Sequence, residues 1–184
     1  MIDFTFETTN PGGHSSMPRP ENAIYALSHA INAVEAHKFP VRLNDTTRAF
    51  FLNAGRMFPA PISKPMAALA NNPADADAEA VISRDPILNA MLRTTCVATQ
   101  VSAGHAQNAL PQRATANINC RIIPGETVET TLATLNSIVN DPKVTITPKF
   151  ARNKVAVQPP LTDRVMGPAK KLAEKHFPGM PFLP

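Results

Sequence analysis

Tryptophan is absent from this 184-residue chain, tyrosine occurs once, and there are only seven glycines and two cysteines. No aromatic platform interleaves the basic residues of the C-terminal stretch, as a single-stranded nucleic-acid site would need. No run of 18 apolar residues occurs, which excludes a membrane-spanning helix. The opening Met1-Ile2-Asp3-Phe4-Thr5-Phe6-Glu7 alternates and lacks a basic leader, so it reads as a strand and not as a signal peptide. No HxD, HExxH or CxxC motif links the five histidines (His14, His29, His37, His105, His176) or the cysteines. An internal zinc site therefore lacks its ligand spacing. No GxSxG elbow is present, and Gly12-Gly13 lacks the rest of a phosphate loop. Neither cysteine has a flanking base to activate a thiol nucleophile.

What is present describes a folded domain. Apolar residues make up 43% and charged residues 17% of the chain. That content is well above a disordered tail's, and the length suffices to bury about two-thirds of the unfolded surface. The net charge of +4 is unevenly spread. The basic excess falls after residue 142, on Lys143, Lys149, Arg152, Lys154, Arg164, Lys170, Lys171 and Lys175, against Asp163 and Glu174. These cations are dispersed, so the stretch reads as a solvated face and not as a polyanion site.

Hydrophobic periodicity predicts the elements. Ile2, Phe4 and Phe6 alternate with polar residues over a strand at 2–8, and Asn10-Pro11-Gly12-Gly13 breaks it. Ile24, Leu27, Ile31 and Val34 form one stripe of a helix at 22–37, with Pro20 and Glu21 suiting its first turn and Pro40 beyond it. Residues 40–93 are rich in proline and alanine and hold no single period. Short helices at 64–70 and 86–93 are expected there, within an insertion lacking a core of its own. Strands at 94–103 and 113–122 flank the loop Gly104–Pro111. A helix at 127–140 carries Val128, Leu132, Leu135 and Val139, and a strand at 143–149 follows.

The order βα(insertion)ββαβ, with one apolar face per strand and one stripe per helix, predicts an α+β fold. Its form is a ferredoxin-like plait over residues 1–150, with two helices on one face of a four-stranded antiparallel sheet and an insertion at about 40–93. The expected strand order 4-1-3-2 leaves strand 94–103 at an edge. Matching Val97 and Val101 to the apolar face of strand 113–122 sets Cys96 and Cys120 on opposite faces. Free, buried thiols are the expectation, and they favour a reducing, cytoplasmic setting. Residues 151–184 hold another amphipathic helix, around Val165, Ala169, Leu172 and Ala173, and read as the beginning of a further domain.

Three motifs punctuate the strand ends: Pro11-Gly12-Gly13-His14-Ser15-Ser16-Met17-Pro18, then Gly104 with Asn108-Ala109-Leu110-Pro111, then Arg121-Ile122-Ile123-Pro124-Gly125. In this order the chain resembles the lid, or dimerisation, domain of the aminoacylase/carboxypeptidase-S family of two-zinc metallopeptidases. That family shows a glycine-rich turn with His-Ser/Ala, an Asn-Val-Ile-Pro loop, and a strand ending in Arg with Pro-Gly behind it. Here Asn-Ala-Leu-Pro stands in the second place, and the catalytic half with its HxD, bridging Asp and Glu-Glu elements has no counterpart.

The resemblance implies roles. His14 would enter the active site of a partner subunit and stabilise the tetrahedral oxyanion. Asn108 and Arg121 would hold the substrate's carbonyl or carboxylate, and Gly104 would keep the loop close to its ligand. The two zinc ions would belong to the absent catalytic domain, leaving this chain without a cofactor and inactive alone. Its partners would be that domain, a second copy joined through the first helix and edge strand 94–103, and a peptide or N-acyl amino-acid substrate, with no nucleic acid and no membrane. Read without the resemblance, Arg121 can pair with Asp3 or Glu7 across the sheet, and Asn108 can satisfy its own loop's backbone. The competing function is a stand-alone plait that binds RNA or a small ligand, for which the open-face residues Thr5, Thr115, Asn117 and Asn119 offer no stacking.

Overall fold

The computed structural model describes residues 1–149 and 160–183. Residue 150 at the expected end of the plait, Arg152 and Lys154 of the basic set, and the first nine residues of the 151–184 segment lie outside the described residues. The chain divides into two compact units. One holds Met1–Phe39, Thr94–Ile122 and the residues from Glu126 through the last strand; the other holds Pro40–Arg93, Ile123–Gly125 and the C-terminal helix.

The first unit is an antiparallel sheet with helices on one face. Its main strands are β1 (Ile2–Thr9), β3 (Thr95–Ala103), β5 (Arg113–Arg121) and β6 (Val144–Lys149), in the order β3-β5-β1-β6. Two residues, Gly13–His14 (β2), pair separately with Ala109–Leu110 (β4). Helix α1 (Ala23–Ala36) packs against β1, β3 and β5, and α6 (Val128–Val139) packs against β6 and α1. The alternation of β1 is realised residue by residue: Ile2, Phe4, Phe6 and Thr8 are buried and their neighbours are not. Opposite them Ala114, Ala116, Ile118 and Cys120 complete the covered face. Leu27, Ala30, Val34 and Leu135 close it from the helices. Full burial of a large apolar side chain such as Phe4 or Phe6 contributes roughly 1.5–3 kcal/mol.

Helix α1 starts at Ala23 and not in the 20–22 stretch, because Asn22 takes the cap. Its Oδ1 accepts from the Ile24 N–H at 2.8 Å and the Tyr25 N–H at 3.4 Å. Thr8, a polar residue on the apolar face, donates its hydroxyl to the Ala23 carbonyl at 2.8 Å and so ties β1 to the start of α1. Asn140, with φ 44°, ends α6 in the left-handed conformation.

The expectation of free thiols is overturned. Cys96 and Cys120 are direct partners in the β3–β5 ladder and form a disulfide. The reason is a β-bulge: Ala98 pairs with Ile118 but Gln100 pairs with Asn117, leaving Thr99 as the extra residue. Parity along β3 reverses there. Cys96 and Val101 therefore share the covered face, while Val97 turns to the open face against Asn119. The thiol-based argument for a reducing compartment falls with it.

The second unit has the core that the sequence did not betray. It comprises α2 (Asp45–Ala54) with a 3-10 turn at Gly55–Met57, then α3 (Ala60–Asn71), α4 (Ala76–Ile82), α5 (Pro86–Leu92) and α7 (Asp163–His176). Phe51, Met66, Leu69, Ile82 and Leu92 are fully buried at its centre. Its short helices begin at side-chain caps, Asn44, Asp75 and Asp85. Arg93, 3% exposed, is compensated by a 2.6 Å ion pair to Glu79 and a bond to Ser83 Oγ. Of the C-terminal basic residues, Lys143 and Lys149 in the first unit and Arg164, Lys170, Lys171 and Lys175 in the second are exposed. Among the described residues no helix is long and apolar enough to cross a membrane.

The bridge links residues 24 apart in sequence, and reducing it is expected to cost roughly 3 kcal/mol through the freed loop entropy of the unfolded chain. Alkylation of denatured, unreduced protein should find no free thiol, and urea unfolding with and without dithiothreitol should differ by that amount. Two alkylated cysteines in unreduced protein would contradict the pairing.

Candidate functional site

The chain leaves β1 through a turn that only glycine can make. Asn10 holds it: its N–H donates to the Gln112 carbonyl at 2.9 Å, its Oδ1 accepts from the Gly12 N–H at 2.9 Å, and its Nδ2 donates to the Glu21 carbonyl at 3.0 Å. Gly12 has φ +80°, and a Cβ there would lie 2.7 Å from Gln112 Cγ. Gly13 and His14 then pair antiparallel with Leu110 and Ala109, and the Ser15 N–H donates to the Asn108 carbonyl at 2.9 Å. Leu110 is buried and anchors the far side of this ladder.

These bonds bring His14 and Asn108 together. His14 is exposed and lies directly across from Ala109, one residue from Asn108. Its Nδ1 lies 2.8 Å from Ser16 Oγ and accepts from the Ser16 N–H at 3.2 Å. The Met17 N–H closes the turn onto the His14 carbonyl at 3.0 Å. Asn108 holds the ladder through its main-chain carbonyl, which leaves the exposed side-chain amide available. Gly104, with φ +76°, ends β3 in a conformation favouring glycine; a Cβ there would meet nothing within 4 Å, so conformation and not crowding requires it. A shallow groove beside this loop is lined by Ile24, Tyr25, Gly104, His105 and Leu110 among others.

Arg121 is elsewhere. It ends β5 opposite Thr95, whereas the glycine turn lies at the Arg113 end. Eight residue steps of extended strand separate the two ends, roughly 26 Å. Arg121 pairs with neither acid weighed for it. Glu7 is taken by Arg113, and Asp3 Oδ1 accepts from Asn119 Nδ2 at 2.7 Å and Asn117 Nδ2 at 2.9 Å. Lys149 Nζ donates to Asn117 Oδ1 at 2.9 Å and completes a polar network on the open face. The Asn119 bond first, then the Asn117 bond, holds the Asp3 carboxyl below the usual carboxylate range. Ile2 and Lys149 lie at the Arg121 end as well, since Ile2 faces Cys120 and Asp3 faces Lys149. His105 and His176 are exposed. Met66 is core packing. Among the described residues no three His, Cys, Asp or Glu side chains are grouped to hold a metal ion.

Sequence reasoning gave Ser16 no role beyond its place in the glycine-turn motif, although the His-x-Ser spacing brings its hydroxyl within reach of the imidazole. It missed Gln112, whose carbonyl receives Asn10 and whose side chain fills the space beside Gly12.

An antiparallel sheet with two helices on one face, an open edge strand, and an exposed histidine turn laddered to an asparagine loop define an α+β association domain. Residues 1–147 match the peptidase dimerisation domain, and the chain belongs to that family. Carboxypeptidase S-like 2 from Dictyostelium discoideum is 35% identical over 147 residues, 79% of this chain and 27% of that protein. The N-fatty-acyl-amino acid synthase/hydrolase of Homo sapiens is 31% identical over 169 residues, 90% of this chain and 33% of that protein. The chain thus spans about a quarter to a third of these curated relatives. Among solved structures, a metallo-carboxypeptidase from Sulfolobus solfataricus shares the fold at 15% identity, with a TM-score of 0.57 over 95% of this chain and 48% of that one. A tripeptidase from Staphylococcus aureus does so at 11% identity and 0.51, over 95% of this chain and 35% of that one.

Two outcomes test the local chemistry. Gly12→Ala is expected to destabilise the domain by about 1–2 kcal/mol, from the positive φ alone, and to speed hydrogen exchange at the Ser15 amide. Asp3 has a depressed carboxyl, so its stabilising share is present above the ordinary carboxylate range and is lost as pH falls below about 4. Asp3→Asn should flatten the acid limb of a stability–pH profile; an unchanged slope would remove Asp3 from that role.

Proposed function

We propose that this chain is the lid and dimerisation domain of a larger metal-dependent peptidase or N-acyl amino-acid amidohydrolase, and that it supplies side chains to the active site of a partner subunit. The observation that carries this reading is the β2–β4 ladder. It presents the exposed His14 imidazole beside Asn108 at the sheet end opposite Ile2 and Lys149. A polypeptide continuing from β1 or β6 leaves the sheet at that opposite end, roughly 26 Å of strand from His14, which favours the catalytic domain of a partner subunit as the one His14 serves.

A two-fold axis resolves the distance. Strand β3 is an edge, and Ile24, Tyr25, Val97 and Val101 are exposed on α1 and β3, an invitation to edge pairing. Antiparallel pairing of two β3 strands sets Thr95 of one copy beside Ala103 of the other. Arg121, Ile2 and Lys149 of one protomer then share a flank with His14 and Asn108 of its partner. The composite site has an imidazole donor, a carboxamide and a guanidinium, which suits an amide substrate ending in a carboxylate.

In the larger enzyme the metal, expected as two zinc ions held by the catalytic domain, supplies an activated water. The work of this chain is to orient and stabilise. His14 donates to the oxygen on which charge develops, a contribution of about 3 kcal/mol. Asn108 fixes the carbonyl, and Arg121 grips the carboxylate bidentately. The names of the relatives favour peptides and N-acyl amino acids as the substrate class. This chain alone is inactive on this reading.

In the parent enzyme, His14→Ala is expected to lower kcat by about 10²–10³-fold with little change in KM. Mixing that variant with a subunit whose catalytic domain is disabled should restore activity through the hybrid dimer. Full activity of the single variant, or a hybrid with none, would overturn the reading.

A further inference from the structure

The two contacts between His14 and Ser16 have a chemical consequence. A main-chain N–H can only donate, and the Ser16 N–H points at Nδ1 of His14 from 3.2 Å. Nδ1 must then present its lone pair, and the ring proton resides on Nε2. The Ser16 hydroxyl, 2.8 Å from the same nitrogen, is satisfied by donating to it, so both donors require one tautomer. Among the described residues no other histidine has a ring nitrogen receiving such a bond from a neighbour two residues on. Nδ1 is turned back into its own turn, and Nε2–H is the ring donor left to solvent.

We propose that Ser16 is a positioning residue, holding His14 in the Nε2–H tautomer and aiming that N–H outward as a ready-made hydrogen-bond donor. The inference rests on the reading of His14 as an oxyanion donor, and it adds which atom donates and what sets it. The proton stays on Nε2 throughout; His14 acts by hydrogen bonding and not as a base. Preorganisation explains why the donor is fixed before substrate arrives. An imidazole in the other tautomer turns a lone pair toward the developing negative charge, so each molecule in that state is lost to catalysis. The turn that supplies the Ser16 N–H is itself held at both ends, by Ser15 to the Asn108 carbonyl and by Met17 to the His14 carbonyl. The same ladder that places the imidazole therefore also sets its proton.

The tautomer is measurable without catalysis, by ¹⁵N-resolved imidazole shifts of the labelled 184-residue chain at about pH 9, above the ordinary imidazole range. His105, exposed and without a ring hydrogen bond among the described residues, is the internal reference. His14 should show an acceptor-type Nδ1 and an Nε2–H population several-fold more dominant than that of His105. Ser16→Ala, which keeps the main-chain N–H, should move His14 part of the way toward His105, and Ser16→Thr should restore it. In the parent enzyme Ser16→Ala should lower kcat by about 3–10-fold with KM unchanged, and Ser16→Thr should recover it. Tautomer ratios equal for His14 and His105, or unmoved by Ser16→Ala, would overturn the assignment. A shifted ratio with unchanged kcat would overturn the positioning role. If the lock is seen but His14→Ala leaves the parent's rate intact, the oxyanion reading fails while the tautomer assignment stands.

Discussion

The pairing of β1 with β5 governs the rest of the first unit. Its eight-residue register runs from Ile2 opposite Cys120 to Thr9 opposite Arg113. This register puts Phe4, Phe6, Ile118 and Ala116 on one face, where α1 covers them. It also sets the outgoing turn of β1 next to the incoming loop of β5. Asn10 can then donate to Gln112, and three residues later the short β2–β4 ladder forms. A slip of one residue would expose the phenylalanines and part His14 from Asn108 together. Core formation and site assembly are thus set by one ladder.

The two faces of the sheet have different tasks. The covered face is apolar save for Thr8, whose hydroxyl is used to fasten α1. The open face is a network of carboxamides around Asp3, with Lys149 and Thr99 at its margins. Its carboxamides are paired with Asp3 and Lys149, and among the described residues it carries no aromatic ring. The residues proposed to meet substrate lie instead at the two ends of the sheet. A backbone turn and its short ladder set the positions of His14 and Asn108, and the last ladder position of β5 sets that of Arg121.

Several features were legible along the chain. The strands at 2–8 and 113–122 and the helices at 22–37 and 127–140 have periodic apolar residues whose partners lie at fixed offsets, so local order alone reveals them. Residues 40–93 resisted the same treatment. Alpha2 buries Phe51 and Ala54, and α3 bends its pattern around Pro65; each helix offers too few buried positions for a period to stand out. Their core is shared among four segments and exists only once they meet. The start signals were present, in Asn44, Asp75 and Asp85, but a cap without a stripe behind it does not distinguish a helix from a turn. The cysteines were misjudged because one extra residue, Thr99, reverses parity within β3, and nothing local announces a bulge.

The sequence by itself determined the α+β class, the covered face, the glycine turn and the identity of His14, Asn108, Gly104 and Arg121 as residues of interest. The class, the covered face and the turn follow from period and from residues that demand special backbone angles, and the four residues from the family resemblance that the ordered motifs carry. Tertiary structure alone decided that His14 and Asn108 share one sheet end while Arg121 occupies the other, that Cys96 meets Cys120, and that Ser16 faces the imidazole. Each of these depends on which strands are neighbours and in what register. That is a property of the packed sheet, set by burying both its apolar strands under the same helices at once.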